Sequence, residues 1–536
     1  IFFDSHTTTE RDTYRVVVGL EGELDNGWSW EASANYGRHD RESVTTGSII
    51  NDRWFAGVDA VTDPATGQPA CRADVDPTAA AMNTPFKIPS YDAGYFSFTP
   101  GAGDCVPINI WAGQGGITPE AAAWVTTPTW NSLQLEQTVF AASLVGDTEN
   151  FVNLPGGPIG FATGIEWREE KATAKYDSWQ LGVIPAGSPF AAGTLLEEHS
   201  DNSNLVFRPQ LGNKNETGKF DTTDVFLEVS LPLLSDVPFV RELTLDAAGR
   251  FADYSTIGES TSWKTSMVWA PIDDLAFRGS LSQAVRAPNI TELFGPAIGQ
   301  NYRPNDPCDA AQITALAADQ PGLAANYQGN CVTSLQAIGV DPYDSSGNYA
   351  FTDPLSASFG GVAGGNRNLT EETADTITYG LVYQPNFLEG LSFTADYWEI
   401  EIEDAISSVS AQDIVDGCYK EKSLNSAFCN LFTRNADSSS MQHGGFNFLT
   451  STDINFATLE TSGIDLALSY DFSIGAHNFG ATVQGTKVNE IDFYTNPADL
   501  SEVNPQLGQI LRPEEAGNVY LSWDYGDINV SFQSQY

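Results

Sequence analysis

Hydrophobic and polar side chains alternate along many short stretches of this chain. In one such stretch, Trp28, Trp30 and Tyr36 fall on one face with two alanines, while serine, glutamate and asparagine fall on the other. This period of two predicts an extended strand, because successive side chains of a strand point to opposite faces. The pattern predicts 14 strands, at residues 14–24, 28–36, 133–145, 159–168, 225–233, 243–254, 263–269, 275–286, 376–384, 391–397, 464–472, 477–488, 519–525 and 528–532.

The links between the predicted strands are of two kinds, which largely alternate along the chain. Tight links such as Asp25-Asn26-Gly27 and Gly526-Asp527 have the residues that favour hairpin turns. Structureless loops longer than about 15 residues are uncommon in compact soluble domains. A barrel with short turns on one rim and long loops on the other is typical of the bacterial outer membrane. Here the long links lie at about 40–131, 176–221, 287–372, 404–457 and 489–515.

Aromatic residues cluster near the tight turns, as expected for the interfacial girdle of a membrane barrel. Trp28 and Trp523 are examples. Aromatic residues also close hairpins in other β proteins, but their repetition across five turns favours the membrane barrel. In the strand at 391–403 the apolar positions change from odd to even at Tyr397-Trp398. This change predicts either a bulge or the end of the lipid-facing band.

Composition excludes several classes of protein. The 536 residues include 70 acidic and 25 basic side chains, for a formal net charge of −45. This charge disfavours nucleic-acid binding, because neutralising phosphates requires clustered lysine and arginine. A membrane helix needs about 18 or more consecutive apolar residues, and this chain has no such run, whereas a membrane strand needs only about 9 to 11 residues.

No enzyme motif accompanies this pattern. The chain has no G-x-S-x-G, H-E-x-x-H, Walker-type or G-x-G-x-x-G segment. Carboxylates such as Glu166 and Glu170 resemble a glycosidase pair, but they occupy alternating strand positions, where a water-filled interior explains them. The five histidines form no cluster. We therefore expect no catalytic residues, no metal site and no cofactor.

The six cysteines lie in three of the long loops, two in each loop. Six cysteines permit 15 pairings. Because each pair is confined to one loop, we expect local disulfides, which form in an oxidising compartment such as the periplasm. No Cys/His spacing typical of zinc ligation occurs. The expected pairs are Cys71 with Cys105, Cys308 with Cys331, and Cys418 with Cys429.

A motif follows the predicted strand at 275–286. Pro288 has no amide hydrogen, so strand pairing should stop near Ala287. Arg286 and Glu292 are then placed to make a polar contact inside the lumen or at its rim. We assign the motif to building the barrel, with a strand-ending turn or direct contact with ligand or plug as alternatives. Its residues are Arg286, Ala287, Pro288, Glu292, Leu293 and Phe294.

This motif resembles the R-A-P-x-x-x-E-L-[FY] signature of TonB-dependent outer-membrane receptors. Segments at 366–373, 459–465 and 511–513 are also similar to that family. The resemblance covers about the C-terminal half of the chain, and the first 200 residues match in architecture only. It implies an all-β fold, a transmembrane antiparallel β-barrel of 22 strands whose lumen is closed by an N-terminal plug.

The sequence departs from that family pattern at its ends. No plug or TonB box occurs in residues 1–536. The predicted first strand begins on the long-loop rim and the predicted last strand ends there, so both termini lie on that rim. A complete barrel keeps both termini on the short-turn rim, so an odd number of strands is expected before residue 1 and after residue 536. Seven and one would complete the family's 22. We therefore expect one partial barrel domain over 1–536.

The resemblance implies a receptor in the bacterial outer membrane that takes up a scarce nutrient by TonB-energised transport. The nutrient is either a ferric chelate (siderophore) or an oligosaccharide, and the sequence favours neither. Expected partners are membrane lipid, lipopolysaccharide, the small-molecule or oligosaccharide substrate, and the TonB complex through the missing plug and box. A passive porin or a surface adhesin is the main alternative, and an extracellular glycoside hydrolase is a weaker one.

Aromatic residues in the long loops are the candidate ligand contacts, because they stack on sugar rings or on an aromatic chelate. The alternative is that they pack within the loops themselves. The candidates are Trp54, Trp111, Trp124, Tyr302, Tyr327 and Tyr343.

Overall fold

The computed structural model describes residues 5–79, 97–181, 183, 215–494 and 503–536. Its wall consists of 14 long strands, as the alternating pattern predicts, and most of them extend beyond the predicted bounds. They are β1 Thr7–Glu23, β2 Ser29–Ile49, β3 Thr126–Asp147, β4 Gly160–Tyr176, β5 Glu216–Val237, β6 Val240–Tyr254, β7 Gly258–Ile272, β8 Leu275–Arg286, β9 Glu372–Tyr383, β10 Leu391–Ser408, β11 Phe446–Ile474, β12 His477–Tyr494, β13 Glu515–Tyr525 and β14 Ile528–Gln535.

The wall strands form one antiparallel sheet in which every strand pairs with the next strand along the chain. This up-and-down order is the topology of an antiparallel barrel wall. Among the described residues, β1 pairs only with β2 and β14 only with β13, so the sheet is not closed there.

The pairing of β10 excludes one of the two predicted causes of the pattern change at Tyr397-Trp398. β9 and β10 stay in register from Thr373 opposite Glu403 to Tyr383 opposite Phe393, so there is no bulge at Tyr397-Trp398. The register shifts further along, between Ile402 and Ala405, where β10 pairs with β11. The residue that absorbs this shift, Asp404, has a positive φ of 53°.

One face of the wall exposes large apolar side chains. Val18 on β1 lies opposite Ala34 on β2, which lies opposite Phe140 on β3, and Val18 and Phe140 are 64% and 53% exposed. At the other end of the sheet, Leu468 and Phe532 are 42% and 56% exposed. Such a broad apolar face is unstable in water and is typical of a surface that meets lipid. The buried hydrophobic clusters lie mainly in the long loops instead.

The long loops carry all the described helices. None of these helices is long and apolar enough to cross a membrane. The helices are α1 Asn51–Val58, α2 Arg72–Val75, α3 Pro119–Val125, α4 Ile290–Phe294, α5 Ala310–Asp319, α6 Pro321–Ala337 and α7 Ala411–Lys420, with 3-10 turns at Ile110–Gly116 and Ala427–Asn430. Short strands lie at Ala60–Thr62, Pro69–Cys71, Asn153–Leu154, Gly157–Pro158, Ile298–Tyr302, Phe359–Gly364, Phe432–Arg434 and Val503–Pro505.

The loops after β8 and β10 pack into one unit, which we call the double-loop lobe (residues 287–371 and 409–445). Its core joins Leu335 and Phe351 from the first loop to Tyr419 from the second. Arg434 forms a fully buried ion pair with Asp306, and its Nη1 lies 2.7 Å from Asp306 Oδ2. Two loops that are separate in the sequence are therefore one folded body.

Three disulfides cross-link the long loops, and their pairing is the predicted one. The S–S distances lie between 2.01 and 2.07 Å, and none of the cysteines is free. Cys71–Cys105 closes the loop between β2 and β3, and the other two disulfides, Cys308–Cys331 and Cys418–Cys429, lie in the double-loop lobe.

Candidate functional site

The Arg286 side chain joins the end of β8 to two neighbouring segments. Its Nε and Nη2 donate to the carboxylate of Glu372 at 2.5 and 2.8 Å, and its Nη1 donates to Glu292 Oε2 at 3.0 Å. Glu372 begins β9 directly opposite Arg286 in the register, and its Oε1 also accepts from the Ile406 amide of β10. The arginine therefore fixes the rim where β8, β9 and β10 end.

Local sequence explains why the chain turns inward after this strand. β8 ends at Arg286, the predicted end of this strand, because Pro288 cannot continue the hydrogen-bonded ladder. Asn289 then caps α4, accepting from the amides of Thr291 and Glu292 at 2.9 Å, and Glu292 Oε2 accepts from the Asn289 amide at 2.7 Å. This reciprocal capping box starts the helix.

α4 leads away from β8 and packs against β4 and β5. Ile290 and Leu293 are buried against Ala172 of β4 and Phe220 of β5. Side chains at even positions of β4 and β5 lie opposite the exposed apolar face, so this contact is in the lumen.

Phe294, the last residue of the motif, packs directly against Gly218 of β5. A Cβ added to Gly218 of β5 would lie 2.0 Å from Phe294, so any larger residue there would collide with the ring. Arg367 lies over the Phe294 ring, 5.2 Å from its centroid, and its Nη2 donates to Glu216 Oε1 at 2.6 Å. The motif thus forms a brace between β8 and β5 across the mouth of the lumen.

Charged side chains on the lumenal face of the wall are arranged in pairs. Arg278 of β8 makes a bidentate contact with Asp396 of β10, at 2.7 and 2.6 Å. Gly380 lies between them in the register, and a Cβ there would lie 2.2 Å from Asp396 Oδ1. Glycine at this position therefore allows the ion pair to span three strands.

A polar cavity of about 480 Å³ opens beside α4. It lies where β4, β6 and β7 approach the motif, at the long-loop end of the lumen. Arg250 lines it, and its Nη2 donates to Asp224 Oδ2 at 2.6 Å, while Asp224 is 1% exposed. Its volume is in the range that encloses a small organic molecule or one unit of a larger one.

The six aromatic candidates fall into two groups. Trp54 and Trp124 pack against the helices of the loop between β2 and β3, Tyr327 is buried in the double-loop lobe, and Tyr302 is half-buried with its hydroxyl donating to the Val362 carbonyl at 3.1 Å. Trp111 is 91% exposed and Tyr343 is 38% exposed. The Trp111 ring is thus largely free, whereas the Tyr343 ring makes an edge contact with Tyr349, with 6.1 Å between the centroids. A ligand-binding role for any of the six stays a prediction.

One buried carboxylate in the loops is electrostatically unusual. Asp52 of α1 is 1% exposed, and its Oδ2 accepts from the amide and hydroxyl of Ser97 at 2.6 and 2.9 Å. Burial outweighs these hydrogen bonds and raises the pKa of Asp52 to about 7.

The described parts of the chain contain no cluster of metal-binding side chains. There, no three histidine, cysteine, aspartate or glutamate side chains come together in a way that could hold a metal ion.

Sequence reasoning found Arg286 and Glu292 and missed Gly218. Arg367 and Glu372 entered it only as part of the family-like segment at 366–373, without a role of their own. The pairing of Glu372 could have been found, because the predicted strand at 376–384 would meet the strand that carries the motif. Gly218 carried no signal, since its role depends on where α4 crosses the lumen.

The TonB dependent receptor-like beta-barrel family matches residues 2–536. The chain therefore belongs to this family of bacterial outer-membrane proteins, whose members are transporters rather than enzymes. The antiparallel wall with its exposed apolar face is thus a transmembrane β-barrel wall, with its long loops extracellular.

Several solved structures resemble the chain. The siderophore receptor PirA from Acinetobacter baumannii has 12% identity and a TM-score of 0.48, over 98% of this chain and 50% of that chain. The RagAB peptide transporter has 10% identity and a TM-score of 0.46, over 99% and 48%. A mutant of the ferric enterobactin receptor PfeA from Pseudomonas aeruginosa has 12% identity and a TM-score of 0.40, over 99% and 66%. The chain spans about half the length of the first two.

Proposed function

We propose that this chain is the barrel of a receptor that imports a scarce nutrient by TonB-energised transport. The nutrient is too large for passive pores and is either a ferric chelate or an oligosaccharide. Membership of the receptor family carries this proposal. The TonB complex is the proposed energy-coupling partner, as membership of the family suggests.

The architecture supports a selective receptor over a passive porin or an adhesin. The double-loop lobe has its own core, two disulfides and a buried ion pair. α4 of the motif also packs on the lumenal face of β4 and β5. Folded and cross-linked loops at the entrance suit recognition of one solute class better than free diffusion of many.

Lipid and lipopolysaccharide are the proposed surroundings of the outer face. Above the apolar positions of β2, β3 and β4, Arg38 pairs with Asp40 and Lys171 pairs with Glu136, at 2.7 and 3.2 Å. Charged pairs at this height suit contact with the polar head groups of the outer leaflet.

The experiment is nutrient uptake in the parent organism with and without a functional TonB gene. Expression is first profiled under iron starvation and during growth on oligosaccharides, and the inducing nutrient is then used as a labelled substrate. We expect uptake to stop in the TonB deletion and to return on complementation. Uptake that continues unchanged without TonB would establish a passive porin, and adhesion without any uptake would establish an adhesin.

A further inference from the structure

Several polar groups in the lumenal cavity beside α4 have no partner within the protein. Glu166, Tyr254 and Ser262 line this cavity. Within the described ranges, none of their side chains makes a hydrogen bond or ion pair with another residue. Polar groups that face a cavity of about 480 Å³ with their hydrogen-bonding capacity unused are available to a ligand.

Each of the three arginines around this cavity lies near a carboxylate. Arg250 lies 2.6 Å from the carboxylate of Asp224, and Arg286 is held by two carboxylates, Glu292 and Glu372. Arg168 lies 4.0 Å from Glu170, and its Nε has no hydrogen-bond partner among the described residues. Glu166 makes no ion pair within 4.0 Å among the described residues, although it lies near enough to Arg250 to interact with its charge. The three guanidinium groups are outnumbered by five carboxylates, namely Glu166, Glu170, Asp224, Glu292 and Glu372, so the surroundings of the cavity are negative. An anionic group, such as a phosphate or a negatively charged ferric chelate, is therefore disfavoured here.

Donors and acceptors nevertheless face the same volume. Glu166 offers only acceptors, whereas Tyr254 and Ser262 offer hydroxyls that both donate and accept. Arg250 uses Nη2 for Asp224, which leaves its other N–H groups as donors. An uncharged hydroxyl suits such a mixed lining, because it donates to the carboxylate and accepts from the guanidinium at the same time.

We propose that this cavity binds a hydroxyl-rich, uncharged group, such as one sugar unit of an oligosaccharide. This inference rests on the proposed transport function and selects the oligosaccharide as its substrate. Glu166 accepts from the ligand hydroxyls, and Arg250, Tyr254 and Ser262 complete the contacts around them. The motif places Arg286 and α4 as the wall on the remaining side.

The test is binding to the full-length receptor in detergent micelles, measured by isothermal titration calorimetry. The probes are neutral hexasaccharides, namely maltohexaose, cellohexaose and xylohexaose, and two anionic chelates, ferric citrate and ferric enterobactin. We expect at least one hexasaccharide to bind and neither chelate to compete with it. Binding of a chelate alone, or of no probe, would overturn the inference.

Variants of Glu166 distinguish an uncharged hydroxyl group of the ligand from a cationic group. Glu166→Ala removes the acceptor and should weaken hexasaccharide binding by about tenfold or more, as for loss of a hydrogen bond to a charged group. Glu166→Gln keeps an acceptor oxygen and should stay within about threefold of the native affinity. If Glu166→Gln loses as much as Glu166→Ala, the charge itself is essential and the group bound is cationic instead.

The matched control is Glu228→Ala on the same lumenal face of β5, away from the cavity, which should leave hexasaccharide binding unchanged. If Glu166→Ala lowers the unfolding temperature without changing affinity, the cavity is filled by protein and the inference fails. Uptake in the TonB deletion strain is scored separately. Continued uptake there overturns the proposed function and leaves the binding result intact.

Discussion

At the scale of single residues, opposite charges in this protein meet across large distances in sequence. Arg286 contacts Glu372, and Arg434 is buried against Asp306 with its guanidinium 4.3 Å above the Phe446 ring. A buried guanidinium is tolerated only when it is paired and fully hydrogen-bonded, and Arg434 also donates to Tyr419 and to the Gly444 carbonyl. Such residues fix the loops in one arrangement.

Asp52 gives the loop between β2 and β3 a pH dependence. Because the pKa of Asp52 is raised to about 7 in the folded protein, folding binds a proton between about pH 4 and pH 7. The contribution of this group to stability is therefore greatest at low pH and falls as pH rises toward 7, by at most about 1.4 kcal/mol per pH unit. We expect limited proteolysis of this loop to be faster at pH 8 than at pH 5.5.

The control for this pH effect is Asp52→Asn, which keeps the hydrogen-bonding shape without the titrating proton. Cleavage of this variant should depend much less on pH, once the protease's own pH dependence is subtracted with an unfolded substrate. Arg53 is the charged neighbour of Asp52, and Asp104 acts on the Arg53 guanidinium in turn. An equal pH dependence in native protein and variant would contradict the assignment.

At the scale of secondary-structure elements, the motif braces β8 against β5. This packing depends on the absence of a side chain at Gly218 of β5. We predict that Gly218→Ala destabilises the barrel by about 1–3 kcal/mol, because the added Cβ would overlap the Phe294 ring. The measurement is the temperature at which the folded barrel loses its altered mobility in SDS gels. Gly249→Ala on β6 is the matched control, since a Cβ there meets nothing within 4 Å. Equal shifts for both variants would exclude the brace.

The disulfides of the double-loop lobe should stabilise the lobe and leave the wall unaffected. Cys308–Cys331 closes a separation of 23 residues, for which loop-closure entropy gives about 3 kcal/mol. We expect the double variant Cys308→Ala/Cys331→Ala to be cleaved by protease much faster within 287–371, while the heat resistance of the barrel stays unchanged. If the protease resistance of the lobe and the heat resistance of the barrel are lost together, the lobe and the wall unfold as one unit.

At the scale of the whole molecule, the two faces of the wall differ in what they tolerate. We predict that Leu468→Arg, on the lipid-facing side of β11, costs about 2–4 kcal/mol if it lies near the bilayer centre. Ser469→Arg, one residue further on, points into the water-filled lumen and should cost much less. The fraction of folded protein recovered in lipid vesicles measures both. Equal losses would mean that the faces are wrongly assigned.

The sequence by itself determined the wall of this protein. Strand number, the lipid-facing side and the position of the tight turns follow from a period of two and from turn chemistry, which are local properties of the chain. The motif could also be assigned to the end of a strand, because Pro288 acts on its immediate neighbours. The disulfides were predictable for a similar reason, since each pair lies within one loop.

Only the tertiary structure decided which contacts form at the mouth of the lumen. Residues 86 to 128 positions apart in sequence meet there, as Arg286 does with Glu372 and Arg434 does with Asp306. No local pattern specifies such contacts, because they depend on how loops fold back over the sheet. The merging of two loops into one lobe, the crossing of α4 to β5 and the unpaired carboxylate of Glu166 all arise from that folding.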